Sequence, residues 1–432
     1  MKMRNVRFCV AMLALSSSMA FAQEAPLKNI KISGWGFWRQ ENKNNADYQT
    51  STKDKQDFNQ TRMNVSLKGD LADNYGYVFF APQFSRISGS TDYVSGTTTV
   101  QQSSGQLYNP RLDMHEAYIA LRPTQDENLH LIVGRQELAY GDHLILGSVP
   151  WHRIGRAFDG GRVSYKISPR LTVDAFMMKL LENQSAPATT STPSTTDRNG
   201  NQDTNFNGIY IYGDQGKYLT NTDFYILKKE NSAVGSFSDT TAYGLRLKSK
   251  MGETNIDYRA ESTLEQVKLL GESTLKDAYQ YDLELGYTFP FYTTRMSFEY
   301  LSSSKNYDQL FPTAHKFLGY ADQFSRRNIK SYVAHLSTKP NEKVTFFADY
   351  HIFQRNNNGY GAYNFGGSSV GTVGNSRDIG NELDLVVAYD FTKTVQVSYG
   401  YSWVNAGKYI KDQNSKNNAQ THWSFLQLLV RF

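Results

Sequence analysis

The chain ends on the stretch His422-Trp423-Ser424-Phe425-Leu426-Gln427-Leu428-Leu429-Val430-Arg431-Phe432. Side chains alternate between the two faces of a strand, so one face would carry Leu426, Leu428, Val430 and Phe432. The other would carry Phe425, Gln427 and Arg431, with Leu429 as an exception to the alternation. A strand that stops on Phe is typical of the closing strand of an outer-membrane β-barrel. The alternative is an ordinary terminal strand of a soluble β-protein.

The N-terminus has the pattern of a secretory signal. Lys2, Arg4 and Arg7 precede the apolar stretch 8–15, and Ala20-Phe21-Ala22 provides a small-x-small cleavage site. The apolar stretch is too short to span a bilayer. We therefore expect a signal peptide at residues 1–22, one outer-membrane β-barrel domain over residues 23–432, and export across the inner membrane.

Cysteine usage narrows the chemistry. The one cysteine, Cys9, lies inside the predicted signal. The mature chain would therefore have no disulfide, no thiolate metal site and no lipid-modified cysteine. We expect no cofactor and no bound metal.

Charge and hydropathy exclude two further classes. Without Lys2, Arg4 and Arg7 the formal net charge falls from +5 to +2, which is too little for a nucleic-acid binder. Residues 23–432 contain no run of 18 apolar residues, so membrane-spanning helices are not expected. Aromatic residues nevertheless make up 14% of the chain. Alternating apolar and polar positions cancel in any hydropathy window, so a barrel fits this composition.

Period-two alternation recurs along the whole chain. The clearest segment is 279–289, where Tyr and Leu residues alternate with Gln, Asp and Glu. Such segments predict eighteen strands, at 28–41, 56–70, 74–88, 110–122, 127–139, 155–168, 170–182, 206–213, 218–228, 240–251, 253–263, 277–289, 292–304, 328–338, 341–354, 380–391, 393–405 and 420–432.

The predicted connections alternate in length. Short ones, such as 71–73 and 168–169, are followed by long polar ones of about eleven to twenty-five residues, as in barrels with short periplasmic turns and long extracellular loops. A soluble β-sandwich or propeller would not alternate its loops in this way. The predicted fold is an all-β transmembrane antiparallel β-barrel of 18 strands in the outer membrane of a Gram-negative bacterium.

Three blocks of sequence resemble one family. They are Gly134-Arg135-Gln136-Glu137-Leu138 with the following Tyr140-Gly141-Asp142, Trp151 and Arg156-Ala157-Phe158-Asp159-Gly160, then residues 311–322 around His315-Lys316-Phe317, and residues 378–387. Together these blocks resemble the alginate-export family of outer-membrane porins. The resemblance implies an eighteen-stranded monomeric barrel whose basic constriction conducts a linear polyuronate outward. It also implies that Lys31, Arg135 and Lys316 contact the solute. The strand at 394–403 departs from the pattern, because Thr394, Gln396 and Ser398 stand where a basic residue would be expected.

Charges within the strands predict the electrostatics of the lumen. A charge facing lipid near the bilayer midplane costs about 2–4 kcal/mol, so strand charges should point inward. Arg62, Arg162 and Arg295 are further candidates for solute contact, although each could instead pair with acids on neighbouring strands. The predicted wall mixes bases in the N-terminal half with acids in the C-terminal half. Arg135 shares its parity with Leu129, Leu131 and Val133, so a bulge near Gly134 would be needed to turn it inward.

Several other patterns carry little chemistry. Gly367-Ser368-Ser369-Val370-Gly371 matches a nucleophile motif but lies in a Gly-rich loop without the strand–turn–helix context. The acidic and amide residues at 197–203 lack the spacing of a calcium-binding EF-hand loop. His143 and His152 share one predicted loop without metal-ligand spacing.

Three classes of function follow. The first is a channel for a polar solute, such as an oligosaccharide or an organic anion, through a lumen of mixed charge. The second is a dedicated exporter of an anionic, alginate-like polysaccharide, which would need a synthase and a periplasmic scaffold. The third, a barrel enzyme or adhesin, lacks a clustered Ser, His and carboxylate. Expected partners are outer-membrane lipid, lipopolysaccharide and the barrel-assembly machinery, which would bind Phe432. An inward-folded loop such as 305–327 would narrow the pore.

Overall fold

A computed structural model describes residues 27–48, 55–95, 98–102, 111–123, 127–180, 204–216, 219–230, 237–364, 367–371, 374–413 and 420–432. The predicted signal peptide and the whole acidic segment at 197–203 lie outside these residues. Within the described ranges, no helix is long and apolar enough to cross a membrane.

The described strands form one antiparallel sheet. They are β1 (Leu27–Asn44), β2 (Gln56–Leu71), β3 (Gly76–Ser95), β4 (Thr98–Gln102), β5 (Arg111–Leu121), β6 (Leu129–Gln136), β7 (Phe158–Ser168), β8 (Leu171–Leu180), β9 (Thr204–Gly213), β10 (Asn221–Glu230), β11 (Phe237–Lys250), β12 (Ile256–Leu269), β13 (Leu275–Thr288), β14 (Arg295–Ser303), β15 (Ile329–Thr338), β16 (Val344–Arg355), β17 (Asp378–Asp390), β18 (Val395–Ala406) and β19 (Gln420–Arg431). One helical turn, α1 (Lys408–Lys411), follows β18.

The barrel wall has eighteen strands. β4 pairs with the outer end of β3 alone, through residues 91–95, whereas β5 pairs with residues 76–85 of β3. β4 therefore extends an external hairpin and does not contribute to the closed wall. The all-β, 18-stranded antiparallel barrel predicted from the sequence is confirmed, and each predicted segment corresponds to one wall strand.

The C-terminal strand closes the barrel, as its alternation predicts. β1 pairs with both β2 and β19. Backbone hydrogen bonds join Gly34 and Phe432 in both directions, at 2.8 and 2.9 Å. The Phe432 ring covers Gly34, where an added Cβ would lie 2.4 Å from a ring carbon. A side chain at position 34 would therefore displace the Phe432 ring and would also press on Asn64 O, at 2.8 Å.

Two faces with opposite chemistry explain the alternation. Leu283, Leu285 and Phe298 are exposed on the outer face, with Phe298 74% exposed. Asp282 and Glu299, one position away on the same strands, are buried on the inner face. Charges in the middle of the strands point inward because lipid cannot solvate them. The tyrosines near the strand ends fit the interfacial bands of a membrane barrel.

The connections differ from the predicted pattern at one side of the barrel. β12 continues to Leu269 and β13 begins at Leu275, so this external connection has only the residues 270–274. Leu264 is exposed on the outer face and Val267 is buried on the inner face. The alternation therefore continues beyond residue 263, where the predicted strand ended. A long loop was therefore wrongly expected there.

Two long external connections fold into the lumen. We call residues 137–157 the first lumen loop and residues 304–328 the second lumen loop. Leu146 of the first forms a parallel β-bridge with Phe311 of the second. Leu144, Leu146, Phe311 and Phe317 are buried against wall aromatics that include Phe206. The inward folding that the sequence suggested for residues 305–327 is present.

Candidate functional site

The lumen loops leave a cavity against the seam of the barrel. It has a volume of about 660 Å³ and is lined by Trp35 of β1, Gln427 and Arg431 of β19, and the loop residues Trp151 and Lys316. Arg431 is at the end of β19, the end that reaches the periplasm if the short turns are periplasmic. The cavity therefore lies between that end of the seam and the two lumen loops.

Four charged side chains meet beside the cavity, and two of them, Asp142 and Lys316, line it. Asp142 Oδ2 accepts hydrogen bonds from Arg246 Nη2 at 2.6 Å and from Arg246 Nε at 3.1 Å. Its Oδ1 accepts from Lys248 Nζ at 2.8 Å, and Lys316 Nζ lies 3.9 Å from the same oxygen. The side chains of Lys248 and Lys316 remain 45% and 57% exposed, whereas that of Asp142 is only 11% exposed. One covered carboxylate thus holds two exposed ammonium groups.

Local backbone geometry places Asp142 there. Gly141 has a positive φ of 56° and passes so close to Arg246 that a Cβ would lie 2.9 Å from its Cδ. Only glycine adopts this conformation readily and leaves this space. The Tyr-Gly-Asp sequence therefore turns the first lumen loop so that the carboxylate meets the arginine.

The environment fixes the charge states of these loop residues. Burial acts to raise the pKa of Asp142, but the charge of Arg246 and the hydrogen bonds of Lys248 and Arg246 outweigh it and hold the pKa well below its usual range. Burial, with the charge of Lys316, lowers the pKa of His143. Burial also lowers the pKa of Lys316, and Asp142 opposes that effect.

Arginines of the wall and loops bind carbonyl oxygens of the first lumen loop. Arg39 Nη2 donates to Trp151 O at 2.9 Å, and Arg62 Nη1 donates to His152 O at 3.1 Å. Arg326 Nη1, from the second lumen loop, donates to Leu144 O at 3.1 Å. These guanidinium groups satisfy backbone acceptors that would otherwise be costly to bury. Their role is to hold the loop inside the barrel.

Wall carboxylates bind backbone amides of the second lumen loop. The amides of Asp308, Ala321 and Tyr320 donate to Glu265, Glu382 and Asp384 at 2.9, 2.8 and 3.4 Å, respectively. Arginines of the N-terminal strands thus bind carbonyl groups of the first lumen loop. Carboxylates of the later strands bind amide groups of the second lumen loop.

Trp151 fixes the tip of the first lumen loop. Its ring lies 3.6 Å from the Arg39 guanidinium and stacks on His315 with ring centroids 4.2 Å apart. Its edge meets Phe425 of β19, at 4.9 Å. Both ring faces are covered, so Trp151 is an anchor and offers no free aromatic platform to a passing solute.

The candidates from the sequence have different positions. Lys316 is exposed in the cavity. Arg162 lies on the inner face, with Nη1 3.5 Å from Asp174. Arg295 is bound to Asp257 and Glu284. Arg62 is buried under the first lumen loop. Lys31 is exposed near the periplasmic end of β1, where it faces Lys68 of β2 in the strand register. The alternative considered for these charges, pairing across strands, describes Arg295 and Arg162.

The inward orientation proposed for Arg135 is wrong. Arg135 lies opposite Asp159 and Ala117 in a register that continues without a bulge through Gly134. It shares its face with Val133, which is 52% exposed on the outer wall. Its Nη1 binds Asp159 Oδ2 at 2.5 Å. The match to a family block suggested an inward side chain. The shared parity with Leu131 and Val133 correctly indicated an outward one.

Asp142 was not predicted as a site residue, although it lies in the Tyr140-Gly141-Asp142 part of a block that resembles the family. Its role depends on contacts with Arg246 and Lys248, which are about a hundred residues away in the chain and are therefore not visible in the local sequence. Within the part of the chain that the structure describes, no three His, Cys, Asp or Glu side chains are grouped to hold a metal ion.

Comparisons with solved structures identify the same fold. The chain superposes on OccAB1 of Acinetobacter baumannii with a TM-score of 0.64 and 12% sequence identity, covering 95% of this chain and 98% of that one. It superposes on opdK, an outer membrane protein of Pseudomonas aeruginosa, with a TM-score of 0.63 and 10% identity, covering 94% and 100%.

Comparisons of sequence identify the family. A search of curated protein sequences gave no significant match. The profile of the family described as alginate export, in contrast, matches residues 30–423, which is nearly the whole barrel. The three sequence blocks had indicated this resemblance. The chain belongs to the alginate-export family and is an outer-membrane β-barrel channel.

Proposed function

We propose that this channel conducts small anionic solutes, such as organic acids and short acidic saccharides, through the cavity beside Lys316. The observation that carries the proposal is the exposure of Lys248 and Lys316 beside the covered carboxylate of Asp142. Rings or clusters of one sign in a pore select ions of the opposite sign. The arginines of the wall, in contrast, are occupied by loop carbonyls and wall acids.

Further cations are present along the approach to this point. Arg431 lines the periplasmic end of the cavity, and Lys31 and Lys68 face each other on the neighbouring strands. A dissolved anion would meet these groups before Lys316. In water-filled space each contact supplies only about 1 kcal/mol at a separation of about 4 Å. Weak, successive contacts attract an anion and still permit its release.

Single-channel recording in a planar bilayer tests this proposal. Reversal potentials in a salt gradient should show anion selectivity, and monomeric or dimeric uronate should reduce the current reversibly. Lys316→Ala and Lys248→Ala should each weaken both effects, whereas Arg135→Ala, on the outer wall, provides the matched control. Cation selectivity in the unmodified channel, or unchanged selectivity in both lysine variants, would refute the proposal.

Export of a long polyanion is a second candidate, because the matching family is described as alginate export. A linear polyuronate would place several carboxylates along Arg431, Lys316 and Lys248 at once. Block by uronate oligomers should then become stronger and longer-lived as the chain lengthens, and only from the periplasmic side. Equal block by monomer and oligomer from either side would favour the diffusion channel.

We also propose that the chain reaches the Gram-negative outer membrane through a signal cleaved after Ala22 and that Phe432 contacts the barrel-assembly machinery. Support comes from the sequence at 1–22 and from the position of the Phe432 ring, 61% exposed on the outer face. Removal of Phe432 should slow assembly of the folded barrel in cells. N-terminal sequencing of the mature protein, and its mass in detergent, would test the cleavage site and the proposed monomer.

A further inference from the structure

The outer wall across β6–β10 carries a row of polar side chains at one level. Strand register aligns Arg135, Asp159, Lys179, Asn205 and Glu230 on five successive strands. All five share the outward parity of exposed neighbours such as Val133 and Met177. They lie near the ends of the strands that lead to long loops, which is the extracellular end. A charge on the lipid face costs about 0–1 kcal/mol near the interface and more toward the midplane. The row therefore marks the level of the lipid headgroups.

Below this row the wall is apolar and indented. The next aligned row contains Gly161 and Lys228, and the row below it contains Leu131, Val163, Ala175, Ile209 and Ile226. A groove of about 560 Å³ opens there, with predominantly apolar lining. A Cβ added at Gly161 would have only one atom within 4 Å, at 4.0 Å, so the floor of the groove is open space. Its size is within the range of ligand pockets.

Cations lie along the outer rim of the groove. Arg135 remains 30% exposed beside Asp159, which is 43% exposed. Lys228 lines the groove and is 53% exposed beside Glu230. Lys179 lies directly opposite Asp159 in the register. The three cations outnumber the two carboxylates. Arginine binds phosphate oxygens in a bidentate manner, and the long stems of lysines let their ammonium groups reach the headgroup level.

We propose that this groove binds a phosphorylated, acylated sugar lipid of the outer leaflet, the lipid-A part of lipopolysaccharide. One acyl chain would occupy the groove along Val163, Ala175 and Ile209. One sugar phosphate would lie beside Arg135 and the second beside Lys228, because four strand spacings separate these two cations. Charge complementarity favours this occupant over an uncharged lipid, and the extracellular position of the row favours it over lipids of the periplasmic leaflet. The site is on the opposite side of the wall from the cavity, so it is independent of the proposed solute pathway.

Retention of lipid by the whole purified barrel tests the proposal. Native mass spectrometry in detergent would count bound bisphosphorylated lipid A, its dephosphorylated form and phosphatidylglycerol. We expect one bisphosphorylated lipid A to be retained and to bind about tenfold more tightly than the dephosphorylated form, a factor that one charge-assisted hydrogen bond supplies. Gly161→Leu, which fills the groove, and Arg135→Ala should each reduce its affinity by about tenfold.

A matched control separates this site from a general attraction of rim charges for lipid. Lys268 is another outward cation at the extracellular end and faces Asp239 in the register. Lys268→Ala should leave retention unchanged. Equal binding of phosphorylated and dephosphorylated lipid A, equal binding of phosphatidylglycerol, or equal behaviour of Gly161→Leu, Arg135→Ala and Lys268→Ala would overturn the proposal. Conductance should be unaffected in all three variants, so a failure here is distinguishable from failure of the proposed channel function.

Discussion

Leu146 and Phe311 are joined by a parallel β-bridge inside the barrel, although they belong to loops that follow β6 and β14. Backbone hydrogen bonds on either side extend the contact, from Gly147 N to Phe311 O at 2.9 Å and from Phe311 N to Ile145 O at 3.1 Å. The two lumen loops thus form one body. Wall arginines such as Arg39 hold the first loop, and wall carboxylates such as Glu382 hold the second. The width of the pore depends on this body remaining in place.

Neutralising Asp142 should increase anion selectivity. The Asp142→Asn variant removes the negative charge that Lys248 and Lys316 share. The ratio of anion to cation permeability should rise roughly fivefold, the factor that corresponds to about 1 kcal/mol for two unit charges about 4 Å apart in water. Reversal potentials in a salt gradient measure it. Asp159→Asn, on the outer wall, is the control, and equal shifts in the two variants would contradict the assignment.

Replacing Lys316 should have the opposite effect, and replacing Arg135 should have none. The Lys316 ammonium is exposed in the cavity, whereas the Arg135 guanidinium faces the membrane. Lys316→Ala should lower anion permeability severalfold and weaken block by uronate. A similar loss in Arg135→Ala would show that the outward orientation of its strand position is incorrect. Both variants keep the strand hydrogen bonds, so both should fold.

Removing Arg326 should loosen the lumen loops. Arg326 is 1% exposed, donates to Leu144 O and lies 4.0 Å from Asp282. Loss of one partner from such a buried charge pair costs about 3–5 kcal/mol. In Arg326→Ala we expect larger and noisier single-channel currents and a lower urea midpoint in lipid vesicles. Arg170→Ala, at an exposed periplasmic turn, should change neither. Quiet currents of normal size in Arg326→Ala would mean that other contacts suffice to hold the loops.

Acidification should add charge to the cavity at His143 and not at Asp142. The pKa of Asp142 is depressed, so its stabilising interaction is present above the unfolded pKa of about 3.9 and is lost only as pH falls through the lower folded value. The pKa of His143 is also lowered, so it stays neutral until the pH falls below its ordinary value of about 6.5. Because the unfolded state binds that proton first, His143 destabilises the fold slightly below that pH.

The measurable consequence is a rise in anion selectivity that begins only below about pH 6.5, since a protonated His143 adds a positive charge beside Lys316. His143→Asn should flatten this rise, whereas His130→Asn, at the periplasmic end of β6, should leave it intact. A rise that survives in His143→Asn would assign the titration to another group.

The alternation of residues such as Leu426, Leu428 and Val430 was sufficient to predict the barrel. Each strand must turn one face to lipid and the other to water, and this requirement is local, so it is visible in a single chain. It predicted all eighteen wall strands and the closure at Phe432. It also indicated, through Leu131 and Val133, that Arg135 lies on the outer face, and the family block was the weaker evidence at that position.

The tertiary structure alone decided what the lumen contains. Nothing near Asp142 in the chain indicates Arg246 or Lys248, and nothing near Leu146 indicates Phe311. These contacts form because buried loop carbonyls and amides must find partners, and the wall arginines and carboxylates that provide them come from distant strands. The sequence therefore determined the wall of this protein, through a periodic requirement on every strand. The folding of two loops into that wall decided which of its charges remain exposed to a solute.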